Sequence, residues 1–204
     1  MKNSMLAACG VAVLLAVGTA MSAAQEQKAH RHGAHGAHGD ELPLPKHGVA
    51  VLYPTRGNEV LGIIRLDQKE DHLHVTGTVT NLTPGKHGFH IHEFGDLRSP
   101  DGTSAGDHFS LEGQKHGAPH DEGSHAGDLG NIEANKEGNA TVDIKVKGLK
   151  LHFVVGRTIV VHAGEDDLKS QPSGDSGARV ALGVIGIANP KAAEHPKSTT
   201  SSGK

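Results

Sequence analysis

Residues 94–127, FGDLRSPDGTSAGDHFSLEGQKHGAPHDEGSHAG, carry no hydrophobic period, yet they lie between segments that read as β-strands. A loop of this length inside a compact domain is uncommon and usually functional. The chain must therefore build a scaffold of short strands that holds one long polar loop in place. Just before it, GFHIH sets His90 and His92 two residues apart. On a strand their side chains leave the same face and can grip one metal ion. His108, His116, His125 and Asp128 follow along the loop; three imidazoles and one carboxylate make a four-ligand set suited to zinc. His162 ends a distant apolar run, RTIVVH. The economical reading is two adjacent metal sites, one for copper and one for zinc, on an all-β scaffold.

The remaining chain supplies that scaffold. GVAVLYPT, EVLGIIRLDQ and HLHVTGTVTN alternate β-branched and polar residues between Gly, Asn, Asp and Pro breakers. LTPGKHGFHIH turns into the His90 strand, and GNIEAN with ATVDIKVKG predicts a hairpin across Lys136 to Asn139. LKLHFVVGRTIVVH reads as a further buried strand region, Gly164 to Gly177 as a second polar loop, and ARVALGVIGIA as a closing strand. About eight short strands, two long loops and no convincing helix predict a β-sandwich or Greek-key barrel. A content of 28 glycines with 2% aromatics suits a turn-rich β protein. Net charge is −3, which implies no nucleic acid or other polyanion as partner. The 17 histidines raise the expectation of metal handling.

Not every histidine is expected to be a ligand. In β alternation, Leu73, Val75, Gly77 and Val79 share one face, so His72 and His74 point to solvent with Thr76 and Thr78. His152 is predicted to be structural, within the buried region before His162.

The ends read differently. Residues 1–24 resemble a signal peptide: Lys2 is the positive start, Met5 to Val17 the apolar region, and Ser22-Ala23-Ala24 the cleavage site. The apolar run is shorter than the ~20 residues of a membrane span, so no stable membrane anchor is expected. The expected location is periplasmic or extracellular. Residues 25–46, with HRHGAHGAHGDELPLPK, form a His-rich stretch that cannot bury a core and is expected to be disordered. It suits a metal-collecting tail, or a soluble linker that happens to be rich in His. Residues 47–190 form the folded domain, and 191–204 read as a disordered C-terminal tail. Cys9, the only cysteine, falls inside the leader, so the mature chain can form no disulfide.

Five blocks, HGFHIHEFGD, TSAGDHF, GSHAGDLGNI, GRTIVVHAGEDDL and GARVALGVIG, resemble successive segments of the copper/zinc superoxide dismutase family. They occur in the family's order between His87 and Gly186, and the resemblance covers roughly Gly48 to Ala188. The resemblance, to an exported, bacterial-type member, implies an eight-stranded Greek-key β-barrel with long zinc and electrostatic loops. It assigns copper to His90, His92, His108 and His162, and zinc to His108, His116, His125 and Asp128, with His108 bridging the two. Asp166 matches the carboxylate that links a copper histidine to a zinc histidine, and Arg179 the arginine beside the copper mouth. His87 matches a structural histidine bonded to loop backbone, while His120 matches no ligand and is expected to be exposed. The implied activity is dismutation of superoxide to dioxygen and hydrogen peroxide, with Arg179 and His108 as the catalytic groups. GVIGIA and EFGD resemble segments of the family's homodimer contact. One departure stands out. Gly102 and Leu182 occupy the places of the family's paired cysteines, so the loop is held without a bridge. The rival reading is a non-catalytic exported protein that binds or delivers copper and zinc.

Overall fold

The structure is a computed structural model that describes residues 42–194 apart from residue 112. The leader, the His-rich tract up to residue 41 and the last ten residues lie outside the described residues.

Among the described residues, alternating β-branched and polar residues between turn formers give nine strands, all paired antiparallel. β1 (His47–Pro54), β2 (Leu61–Gln68) and β3 (His72–Thr80) run as a meander. β4 (Gly85–His92) is followed by the long loop, and β5 (Asp128–Ala134) and β6 (Ala140–Lys147) form the expected hairpin. β7 (Thr158–His162), β8 (Arg179–Val184) and the two-residue β9 (Gly186–Ile187) complete the set. The strands lie in the order β2-β3-β6-β5-β4-β7-β8-β1, and β1 pairs back to β2. This closes an eight-stranded barrel, with β9 a short extension beside β1. Strands β4, β5 and β6 are successive neighbours while β3 lies beside β6, which is Greek-key connectivity.

Inward residues fill one core in which Leu52, Ile64, Leu66, Leu73, Val75, Phe89, Ile91, Ile159 and Ile185 are fully buried. Each such side chain contributes roughly 1.5–3 kcal/mol by leaving water. β4 departs from simple alternation, because every residue from His87 to His92 is buried. Phe89 and Ile91 face the core, so His90 and His92 point outward and are buried by the loops that fold over this side. The functional histidines thus sit outside the barrel wall, beneath those loops.

Three sequence expectations are corrected. Leu151–Val154 is a single turn of α-helix, α1, and not part of a buried strand. Gly148 and Gly156 bracket it at φ 75° and 86°, conformations that interrupt a strand, and Leu151 and Val154 bury one helical face. His152 is consequently exposed on α1, with its ring centre 4.3 Å from that of Phe153. Asp128 is the first residue of β5 and not a loop residue. At the other end, Pro190–Glu194 forms a 3-10 turn.

Candidate metal centre

Strand register brings the site residues face to face. His90 on β4 pairs with Asp128 on β5, and His162 on β7 pairs with Arg179 on β8. A register shift lies beside each, between Gly88 and His90 and between Val161 and His162. Such irregularities re-aim side chains. A lone bridge between His92 and His108 then draws the loop onto β4.

Two clusters result. His90, His92, His108 and His162 present ligand atoms that all lie within 4.8 Å of one another, and so do His108, His116, His125 and Asp128. His108 belongs to both. In the second cluster, Asp128 Oδ1 faces Nδ1 of His108 at 2.7 Å, of His116 at 3.1 Å and of His125 at 3.4 Å. Asp128 Oδ2 also accepts the backbone N–H groups of Gly117 and His125.

The ring nitrogens that do not face the clusters are tied down. His92 Nδ1 donates to Gly106 O at 2.9 Å, and His162 Nδ1 to Gly177 O at 3.0 Å. His90 Nε2 and His116 Nε2 each donate to Asp166, on separate oxygens and both at 2.8 Å. A histidine that donates one nitrogen keeps the other as a lone pair, the arrangement of metal-ligating imidazoles. Buried His90 Nδ1, His108 Nε2 and His125 Nδ1 have no hydrogen-bond partner at all. An orphaned buried polar atom is costly, and here all three belong to the two clusters. The donor set fits two cations.

Electrostatics agree. Burial holds the His90 and His92 imidazoles well below their usual range, with the charges of His108 and His162 adding to the effect. Burial likewise pushes His162 down to about 4, opposed by its bond to Gly177 and reinforced by His108 and Arg179. Burial would raise Asp128, but the hydrogen bond and charge of His108, then His116 and the Gly117 N–H, hold it low. Three neutral imidazoles and an ionised carboxylate are the protonation states that metal binding needs.

Some supporting residues were not legible as such. Asn131 clamps the Asp166 backbone from both sides, donating to its carbonyl and accepting its N–H, each at 2.8 Å. Gln171 does the same for the backbone of His116, at 2.8 and 3.0 Å. Neither residue type gave a signal, since β5 already mixes polar and apolar residues and Gln171 lies in a polar loop. At Gly174 a side chain would overlap the Asp166 carboxylate and come within 2.6 Å of His116 Nε2, so only glycine fits. His87, by contrast, is held away from both clusters: Nδ1 lies 2.8 Å from His162 O and Nε2 2.8 Å from Thr83 O. His120 is exposed.

The loop is fastened without a disulfide. Half-buried Arg179 donates to Gly102 O and, at 2.6 Å, to Gly106 O. Arg157 donates to Glu93 O at 2.6 Å and to Phe153 O at 2.8 Å, and its guanidinium carbon lies 3.6 Å from the centre of the Phe109 ring. That stacking is a cation–π contact. Ala105 packs with Val160 and Leu182 in a small apolar cluster beneath the loop. Leu182 therefore holds the loop by packing.

The family model described as copper/zinc superoxide dismutase (SODC) matches residues 60–185. This chain belongs to the copper/zinc superoxide dismutase family. A superoxide dismutase [Cu-Zn] of Onchocerca volvulus is 44% identical over 158 residues, covering 71% of this chain and 98% of that protein. An extracellular superoxide dismutase [Cu-Zn] of Brugia pahangi is 40% identical, covering 68% of this chain and 75% of the relative. The copper chaperone for superoxide dismutase of Rattus norvegicus is 43% identical over 145 residues, 68% of this chain. This chain spans about half of the chaperone's length, 53%. Among solved structures, the clock protein EA4 superposes with a TM-score of 0.66 at 38% identity, covering 72% of this chain and 97% of that one. Copper and zinc are the metals consistent with this family and with the two histidine clusters.

Proposed function

We propose that this protein is an exported enzyme that dismutes superoxide, with copper held by His90, His92, His108 and His162 and zinc by His108, His116, His125 and Asp128. The observation that carries the reading is the shared residue. His108 is buried, stands in both clusters, and has Nε2 without any partner while Nδ1 faces Asp128. An imidazole with both nitrogens turned toward cation sites suits a bridge, since two adjacent dications stabilise the anion. When bound, copper supplies a one-electron couple and zinc a fixed dication beside it.

The chain's own residues do the rest. Arg179 carries a positive charge at the covering loop, which attracts a small anion and orients it. Two protons are consumed for each hydrogen peroxide formed. His108 Nε2, uncommitted to any protein acceptor, is the atom that takes and hands on one of them. Asp166 keeps His90 and His116 in fixed tautomers by holding the far nitrogen of each. The covering loops exclude water from the clusters, which sharpens every charge interaction there.

Residues 1–24 serve as the export leader and residues 25–46 as a metal-collecting tail in this proposal. Support comes from the sequence and from the extracellular Brugia relative. Among the described residues no helix is long and apolar enough to cross a membrane. A homodimer contact through residues 93–96 and 183–188 is supported by exposed Phe94 and Ile187, at 56% and 68%; sedimentation that shows only monomer at high concentration would remove it.

A second reading, copper and zinc binding or delivery without turnover, is favoured by the likeness to the rat copper chaperone. One experiment separates the two. The mature chain, saturated with copper and zinc, is assayed for superoxide removal beside its metal content. Rapid, cyanide-sensitive dismutation with both metals bound supports the enzyme; full occupancy without turnover leaves the carrier.

A further inference from the structure

His72 and His74 lie on the outer face of β3, a strand separated from β4 by β6 and β5. Their side chains are partly exposed, 19% and 26%, and they belong to neither buried cluster. Each is nevertheless paired. His72 Nδ1 lies 2.7 Å from Asp71 Oδ1, and His74 Nε2 lies 2.7 Å from Asp143 Oδ1 on β6. An ionised carboxylate only accepts, so the proton sits on the nitrogen in each bond. In the neutral rings this leaves His72 Nε2 and His74 Nδ1 as lone pairs.

Two such imidazoles, two residues apart on one strand face, are a chelating pair. Their ring centres are 6.0 Å apart at 61°. A carboxylate on the far nitrogen is the usual support of a metal-bound histidine, fixing the ring and raising its basicity. Both rings have one. Asp67, the β2 partner of His74 in the register, adds a third carboxylate on the same face, where it also pairs with His47 at 2.6 Å. Lys145 and Lys147 on β6 stand opposite His74 and His72. Arg65, opposite Thr76 on β2, is a third cation on this face and balances Asp67, Asp71 and Asp143, so the site rests on the two imidazole lone pairs.

We propose that His72 and His74 form a third, surface site for a divalent d-block cation, copper(II) ahead of zinc, with Asp71 and Asp143 orienting the two imidazoles. The order of metals follows the general affinity series for nitrogen and oxygen donors. Such a site holds copper on the barrel surface in exchange with solvent, apart from the buried clusters.

The test uses the full chain with both buried clusters loaded. Equilibrium dialysis against micromolar copper(II) at neutral pH is compared for the unmodified chain and H72Q/H74Q. Both carry the same N-terminal histidines, so the difference reports β3 alone. The double variant is expected to take up one copper(II) fewer per chain, with superoxide removal unchanged. Asp143→Asn keeps both rings and is expected to weaken that uptake about tenfold. In the unmodified chain, substoichiometric copper(II) should broaden the His72 and His74 imidazole resonances, a readout that survives even if the double variant fails to fold. Equal uptake by the two chains, or broadening that spares these two rings, overturns the proposal.

Discussion

The Nε2 atoms of His92 and His162 face each other 3.3 Å apart in the buried centre. Each ring already donates its Nδ1 proton to a backbone carbonyl, Gly106 O and Gly177 O. If both rings are neutral, two lone pairs point at one another, an arrangement that only a shared cation relieves. Burial pulls both rings toward neutrality, which leaves their lone pairs free for a metal ion. His162→Ala is therefore expected to lose copper and all measurable superoxide removal while zinc, whose proposed ligands are untouched, stays near one per chain. Metal analysis beside the activity assay checks it; copper retained at full stoichiometry would contradict the ligand assignment.

Asp166 joins the two clusters through one carboxylate, with His90 on one oxygen and His116 on the other. Asparagine keeps one acceptor and places an NH2 against the second imidazole, where two donors would meet. Asp166→Asn is expected to weaken metal retention about 10–100-fold with little change in fold. Competition against a chelator measures it. The readout will also show which metal suffers more, since His90 belongs to one cluster and His116 to the other.

Much of this centre was legible because the chemistry is concentrated in residue types. His90 and His92 announce themselves by spacing on a strand, and the long polar loop marks where their partners must lie. The barrel was legible for the same reason, since β2 and β3 alternate cleanly between core and solvent. The turn of helix at Leu151–Val154 was not, because LHFVV satisfies strand and helix patterns equally over so short a run, and only the flanking glycines decide. The clamps were hidden too. Gly106 and Gly177 act through backbone carbonyls, which no residue type reveals.

Acid should destabilise the metal-free chain. An unfolded imidazole titrates near 6.5, and folded His162 at about 4, so between those values the unfolded state binds the proton more readily. Stability is complete above about 6.5 and is lost as the pH falls toward 4, with His162 alone accounting for about 3 kcal/mol at the acid end. His90 and His92 shift in the same direction and add to the loss. Urea midpoints of the metal-free chain, followed by circular dichroism, should fall across this window. A flat profile would mean that these rings are not held neutral.

Arg179 has two duties that substitutions can separate. In the proposed function its guanidinium carries charge for an incoming anion, while in the fold its fork braces the loop through the Gly102 and Gly106 carbonyls. Arg179→Lys keeps the charge and loses the fork; Arg179→Ala loses both. The alanine variant is expected to remove superoxide about tenfold more slowly at low salt, with weaker dependence on ionic strength. The lysine variant should keep most of the rate and its salt dependence yet melt at a lower temperature. Equal rates for both variants and the unmodified chain would remove Arg179 from the proposed substrate steering.

A disulfide can be built in as a test of what holds the loop. A side chain built at Gly102 would reach to 3.4 Å from Leu182 Cδ1, so the two positions are neighbours. Gly102, however, sits at φ 79°, a conformation that costs an L-residue roughly 1–2 kcal/mol. Leu182 also gives up its packing against Ala105 and Val160 when replaced. Reduced G102C/L182C is therefore expected to be less stable than the unmodified chain. Oxidising the same variant adds only the cross-link, worth up to about 4 kcal/mol for a loop this long. Urea midpoints of the reduced and oxidised forms isolate that gain, because strain and lost packing are common to both. A midpoint that rises on oxidation, yet stays at or below that of the unmodified chain, would show that Leu182 packing and the arginine bonds already do what a disulfide would do.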